Sequence, residues 1–174
     1  MAKKEPVRLI VDLNAVLNSA LLGGKDPDGE TVTDEDGKSH HVNTALYGVE
    51  RFFDYLAADM ERFAVAPKDV VGVWDGLRAK QYRQVHLPQY KVGREKLPQA
   101  HAQLGLARDM LAPMLRHLGF TTCATQGREA DDVIAYLVKE LRDRPNIIST
   151  VDGDLSVLVD ANTHVWRGGK LNEN

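Results

Sequence analysis

The sequence has little of several things, and each shortage narrows what the chain can be. It contains one cysteine, Cys123, in 174 residues, so no disulfide can close within it, and a cytoplasmic, reducing setting is the expectation. No apolar run approaches the roughly 20 residues that cross a bilayer. The opening Met-Ala-Lys-Lys-Glu-Pro has no apolar stretch of the kind a signal peptide carries, and no membrane is expected as a partner. Positive charge is not in excess. With a formal net charge of -3, a nucleic-acid protein of this sequence must gather its cations in one place. There is no internal repeat and no low-complexity tract. The length suits one domain with a real core.

What is present alternates between two kinds of segment. Residues 7–13 (VRLIVDL) predict a buried strand ending in Asp12, followed by a short helix through Leu22. Residues 24–41 are rich in Gly, Asp and Glu and predict a solvated acidic loop or a hairpin excursion. Asp26 and Asp28 stand before Gly29, but the spacing of a calcium-binding EF-hand loop is not met. His40 and His41 are expected to be solvated. Asn43 is a good N-cap for a helix reaching Arg62, with Leu46, Val49, Phe53, Leu56 and Met60 at helical spacing. Residues 69–75 (DVVGVWD) predict a second strand ending in Asp75. Residues 99–117 predict a helix containing Pro113 and stopped by Gly119. Residues 120–125 predict a strand, 128–142 a helix, 146–151 a strand running into Asp152, and 163–167 a last strand. Residues 168–174 read as a polar tail. The alternation predicts an α/β fold, with a mostly parallel central sheet and helices on both faces. Such sheets carry their sites at the carboxyl ends of the strands.

Asp12, Asp75 and Asp152 each stand at such an end. The segment 127–132 (GREADD) adds more acids at a helix start. Glu129 and Asp132 are three apart and share a face; Asp131 lies about 100° round from Asp132. Acids in a first turn are also ordinary helix-dipole chemistry. In 151–154 (VDGD), Asp152 and Asp154 are two apart and point the same way if extended, although an Asx-type turn explains them as well. Seven carboxylates on one sheet edge repel and raise one another's pKa values. Cations relieve that, and oxygen ligands without His or Cys point to Mg²⁺ or Mn²⁺.

The cations are gathered between residues 76 and 98: Arg78, Lys80, Arg83, Lys91, Arg94 and Lys96, with Glu95 as the sole acid among them. Tyr82 and Tyr90 are interleaved, and tyrosines stack on unpaired bases. Directly after the strand ending in Asp75, this segment reads as a phosphate clamp.

Five of these motifs, in order, resemble a known family. They are 9–14 (LIVDLN), 74–76 (WDG) with Arg78, 87–94 (LPQYKVGR), 127–135 (GREADDVIA) and 149–155 (STVDGDL). They look like the motifs of the 5′-nucleases: flap endonucleases, the 5′-nuclease domain of bacterial DNA polymerase I, and bacteriophage 5′-3′ exonucleases. The resemblance implies a PIN-like three-layer domain over residues 1–167. It implies metal-site acids at Asp12, Asp75, Glu129, Asp131, Asp132, Asp152 and Asp154, holding two Mg²⁺ or Mn²⁺ ions. Lys91 and Arg94 match basic residues of a helical arch, with Tyr90 near the unpaired strand and Arg78, Lys80, Arg83 and Lys96 along the DNA. The implied substrate is DNA with a 5′ single-stranded end or flap, and the implied setting is replication or repair in a bacterial cell, or a bacteriophage product acting there. Family members continue past the segment ending near Trp166 into a duplex-gripping helix–hairpin–helix region. The expectation here is that this region is absent from the chain or supplied by a separate polypeptide, with an arch shorter than in some members. Two rival readings remain beside it, a PIN-type ribonuclease and a nucleic-acid-binding half-enzyme. A haloacid-dehalogenase-type phosphatase needs an aspartate where Asn14 stands.

Overall fold

The computed structural model describes residues 6–92, 97–167 and 170–172. Its centre is a six-stranded sheet in the order β5-β4-β1-β6-β7-β8. These are β1 (Arg8–Asp12), β4 (Val70–Val73), β5 (Thr121–Cys123), β6 (Asn146–Ser149), β7 (Thr163–Arg167) and β8 (Lys170–Asn172). The first five run parallel and β8 is antiparallel to β7. Aliphatic residues of alternating direction fix which face each strand presents. Leu9 and Val11 enter one core and Ile10 the other, all three buried. Ile147 and Ile148 divide in the same way.

Three helices cover the Leu9–Val11 face: α1 (Leu13–Leu22), α2 (Ala45–Phe63) and α4 (Pro98–His117). Each lays an apolar stripe on the sheet: Leu13, Val16 and Leu17; Val49, Phe52 and Leu56; Ala107, Leu111 and Leu115. Each Val, Leu or Phe side chain among them, once buried, contributes about 1.5–3 kcal/mol. The opposite face, with Ile10, Val73 and Ile148, is covered by α5 (Ala130–Glu140) and by a 3-10 turn at Asp154–Leu158. Helices on both faces of a mostly parallel sheet make the three-layer α/β domain that the sequence predicts. No helix among the described residues is long and apolar enough to cross a membrane.

Local differences from the sequence reading have physical causes. In α2, Val49 and Leu56 are buried as predicted and Phe53 and Met60 pack at the edge of the core, but Leu46 is 56% exposed and Phe52, not in the predicted stripe, is fully buried. Thr44, not Asn43, caps α2, its hydroxyl accepting from the Tyr47 N–H. Asn43 is buried and instead ties the loop together, donating to the Leu21 carbonyl and accepting from the Asp26 N–H. Of the two readings of residues 24–41 the hairpin holds, with β2 (Glu30–Thr33) and β3 (Ser39–Val42) paired antiparallel. Asp26 is buried under it and accepts from the Thr44 hydroxyl and backbone. His40 pairs with Asp34 at 2.7 Å, and His41 Nε2 lies 3.0 Å from the Asp26 carbonyl. The segment after β4 has its own helix, α3 (Ala79–His86). Pro113 sits inside α4, and Gly119, at φ 83°, supplies the left-handed residue after the α4 C-cap. The predicted polar tail contributes β8, because Leu171 packs against the core and Lys170–Asn172 pair with β7.

Candidate active site

The chain leaves β1 on the β4 side, works outward to β5, then returns through α5 to β6 on the other side of β1. Crevices form at such a reversal, beyond the carboxyl ends of the strands. Asp12 ends β1. It is 3% exposed and caps α1, one oxygen accepting from the Ala15 N–H at 3.0 Å and the other from the Thr150 hydroxyl at 3.1 Å. Burial, followed by the charges of Asp131 and Asp75, pushes its pKa up to about 6.

Asp75 follows β4 and joins three elements. One carboxylate oxygen accepts from the Ala130 N–H at the start of α5 (2.8 Å) and the other from the Asn14 amide on α1 (2.9 Å). Arg108 of α4 stacks over Trp74 and donates to the Asp75 carbonyl at 2.9 Å. Gly76 then presses against the loop after β5. Its N–H donates to the Arg128 carbonyl, and a Cβ there would stand 1.8 Å from the Thr125 carbonyl oxygen.

Glu129 is the N-cap residue of α5 and is buried. Its carboxylate accepts from the Tyr90 hydroxyl at 2.7 Å and from Lys91 Nζ at 2.8 Å, with Arg83 Nε at 3.3 Å. Burial pulls its pKa up, but the Lys91 and Tyr90 bonds and the Lys91 and Arg83 charges outweigh it and leave it below the ordinary value. Asp132 uses one oxygen for the Glu129 N–H and the other for Arg83. Asp131 has no hydrogen-bond partner among the described residues. Burial raises its pKa, and the charges of Asp152, Glu129 and Asp75 raise it further. Asp152 follows β6, its N–H donating to the Thr150 hydroxyl and its carboxylate accepting from the Asp154 N–H. Asp154 itself is exposed.

Five of the seven sequence-predicted acids therefore share one electrostatic neighbourhood centred on Asp131: Asp12, Asp75, Glu129, Asp131 and Asp152. Asp132 is turned to Arg83, and Asp154 lies outermost. Among the described residues no three acids, histidines or cysteines stand close enough to enclose an ion, because most of these carboxylates are drawn to an internal donor. Of the basic residues, Arg78, Lys80 and Lys91 line a cleft of about 440 Å³ together with Asp75 and Glu129. Arg83 is spent on Glu129 and Asp132 and lies over the Tyr90 ring. Arg94 and Lys96 lie outside the described residues. The sequence reading missed three positioning groups. Asn14 was signalled by its place two residues after Asp12, and Thr150 by its place two before Asp152. For Arg108 there was no signal.

The model of the family described as "5′-3′ exonuclease, N-terminal resolvase-like domain" matches residues 8–174. This chain belongs to that family. A 5′-3′ exonuclease of Mycoplasma pneumoniae is 36% identical over 92 residues, covering 51% of this chain and 30% of that protein. The bacteriophage T5 5′-exonuclease with bound zinc superposes with a TM-score of 0.68 at 18% identity, over 96% of this chain and 58% of that one. The catalytic core of Rad2 in complex with DNA superposes with a TM-score of 0.55 at 17% identity, over 94% of this chain and 45% of that one. At such identities the likeness is one of fold. This 5′-3′ exonuclease-family domain spans less than two thirds of the length of each of these relatives.

Proposed function

We propose that the chain is the catalytic portion of a metal-dependent 5′-nuclease that cuts DNA carrying a 5′ single-stranded end or flap, in replication or repair, leaving a 5′-phosphate and a 3′-hydroxyl. The observation that carries this reading is the meeting of acidic edge and basic segment at one cleft, where Lys91 and Tyr90 close on Glu129. Family membership and the fold shared with the T5 enzyme, solved as a complex with DNA and metal ions, support it.

The acidic edge fits divalent cations. It offers only hard oxygen donors, and burial, followed by neighbouring carboxylate charges, raises the pKa values of Asp12 and Asp131, a cost that a bound cation would relieve. Asp75, Glu129, Asp131 and Asp152 would hold two Mg²⁺ or Mn²⁺ ions directly, with Asp12, Asp132 and Asp154 acting through water. When bound, such ions neutralise a phosphodiester and activate a water for in-line attack. The chain's own residues do the rest. Asn14 and the Ala130 N–H hold the Asp75 carboxylate in one orientation. Arg78 and Lys80 line the cleft, where a backbone phosphate would lie. Lys91 stabilises charge developing on the phosphoryl oxygens. Tyr90, flanked by Arg83 and Lys91, offers its ring to an unpaired base.

The test is cleavage of a 5′-flap duplex by the purified chain in Mg²⁺, in Mn²⁺ and in EDTA, with single-stranded RNA as the comparison. Metal-dependent flap release establishes the activity. Binding without cleavage, repaired by adding a helix–hairpin–helix polypeptide, establishes a split enzyme. Cutting of RNA in preference to the flap overturns the reading.

A further inference from the structure

A second groove opens from the acidic edge beside the Lys91 cleft, with Asn18 lining both. It begins at Asp152 and Gly153 and passes Asn18 and Ser19 of α1. Adjoining it is a cavity of about 350 Å³ between α2, the end of β6 and Trp166 of β7. Ser19 and Val151 line both parts, which places the two side by side.

Its chemistry is mixed in a particular way. Tyr55 and Trp166 supply aromatic surface. Between them stands Asp59, which accepts from the Ser149 hydroxyl at 2.6 Å and from Trp166 Nε1 at 2.7 Å. A carboxylate has about four acceptor positions, so Asp59 keeps capacity for another donor. Arg51 borders the groove at Gly23 and Tyr55. Its guanidinium lies over the rings of Tyr47 and Tyr55, at 5.6 and 5.2 Å, and its Nε is buried with no partner. No carboxylate pairs with it among the described residues. A second guanidinium, that of Arg62, lies 4.6 Å over Trp166.

Aromatic faces, a carboxylate with spare acceptor capacity and a guanidinium that donates to the Tyr55 hydroxyl but has no carboxylate partner among the described residues match the three parts of a nucleotide. Bases stack on aromatic side chains, an exocyclic amino group donates to a carboxylate, and guanidinium takes phosphate. The volume suits one nucleotide and is too small for a duplex. We propose that this groove binds an unpaired nucleotide of the substrate strand, beside the cleft that Lys91 lines. The proposal rests on the nuclease reading given above. On this view the strand crosses the acidic edge, held by Arg78, Lys80 and Lys91 in the cleft and by Arg51, Tyr55 and Asp59 in the groove beside it. Asp59 gives the groove a preference for bases that carry an exocyclic amino group, which thymine lacks.

The experiment is equilibrium binding in EDTA of the whole chain to fluorescein-labelled short oligo-dC and oligo-dT. Wild type binds oligo-dC about fivefold or more tightly than oligo-dT, the value of one good base-edge contact. Asp59→Asn abolishes the difference. Arg51→Ala weakens both oligomers alike and lowers the salt slope by about one, and Arg51→Lys restores most of the loss. In a Trp74→Phe background, which leaves Trp166 as the reporter, emission changes on binding. If Arg51→Ala and Asp59→Asn bind like wild type while Arg78→Ala binds weakly, the groove assignment is overturned and the nuclease reading stands. If wild type binds neither oligomer, the groove assignment also falls, and flap cleavage decides the nuclease reading by itself.

Discussion

Lys91 Nζ lies 2.8 Å from Glu129 Oε1, so the basic segment after β4 is latched to the N-cap of the helix that follows β5. Tyr90 reinforces the latch on the second oxygen. The two halves of the candidate site, legible in the sequence as separate charge clusters, are one hydrogen-bonded unit in the structure. Glu129 must exchange these partners for any ion it is to hold.

Lys91→Ala removes one arm of that unit. The expected result is a fall in kcat of roughly 10- to 1000-fold with little change in KM, since the lysine acts on charge that develops during reaction. Single-turnover and steady-state cleavage of a 5′-flap duplex read it. A change confined to KM would make Lys91 a substrate-positioning contact.

Asp75→Ala takes away an oxygen that faces the acidic edge and, with it, the acceptor of the Ala130 N–H. Cleavage is expected to vanish. Loss of a helix-terminal acceptor costs about 0.5–2 kcal/mol, so the variant folds, with circular dichroism unchanged and a modestly lower Tm. Normal turnover by this variant would falsify the metal assignment.

Asp12 gives a pH prediction whose sign follows from its burial. Its pKa is about 6 in the folded chain against an ordinary 3.8. Between those values the folded state keeps a proton that the unfolded state has released, so this group lowers stability as pH rises through the interval. Above pH 6 the full cost is about 2–3 kcal/mol. Asp12→Asn is therefore expected to be more stable than wild type at pH 7.5 in EDTA, and no more stable at pH 4. Urea denaturation at the two pH values measures it. An equal difference at both would show that charge burial is not the cause.

The layers of the fold and the acids at its carboxyl edge were legible because they follow from short-range rules. Aliphatic runs of strand length ended in Asp12, Asp75 and Asp152, and the acids of residues 127–132 opened a helix. What was not legible depends on contacts far apart in sequence. Asp26 looked solvated from its neighbours, yet Thr44, 18 residues on, buries it. Arg83 looked free for DNA, yet Asp132, 49 residues away, claims it. Leu46 and Phe52 both fit a helical stripe, and only the packing of α2 on α1 and α4 decided between them. The α1–α2 groove had no local signature, because its lining comes from four elements.

Gly76→Ala tests the contact between the loops after β4 and β5. Its Cβ would stand 1.8 Å from a backbone oxygen that no side-chain rotation can move. The loops must part, at a cost of about 1–3 kcal/mol or more. Because Asp75 precedes the glycine and Arg128 accepts its N–H, cleavage is expected to fall together with stability. Thermal melting and flap cleavage in parallel read the two effects, and an alanine variant with wild-type Tm would show that the loops yield freely.

The two faces of the sheet are guarded unequally. Three helices shield Leu9 and Val11, whereas Ile10, Val73 and Ile148 depend on α5 and one short turn, and Glu129 is the N-cap of α5. A transient lifting of α5 would therefore wet half the interior and scatter the acidic edge in the same event. Hydrogen exchange at the α5 amides then becomes a clock for the site: the rate at which those protons swap with deuterated solvent sets how often the candidate catalytic arrangement ceases to exist.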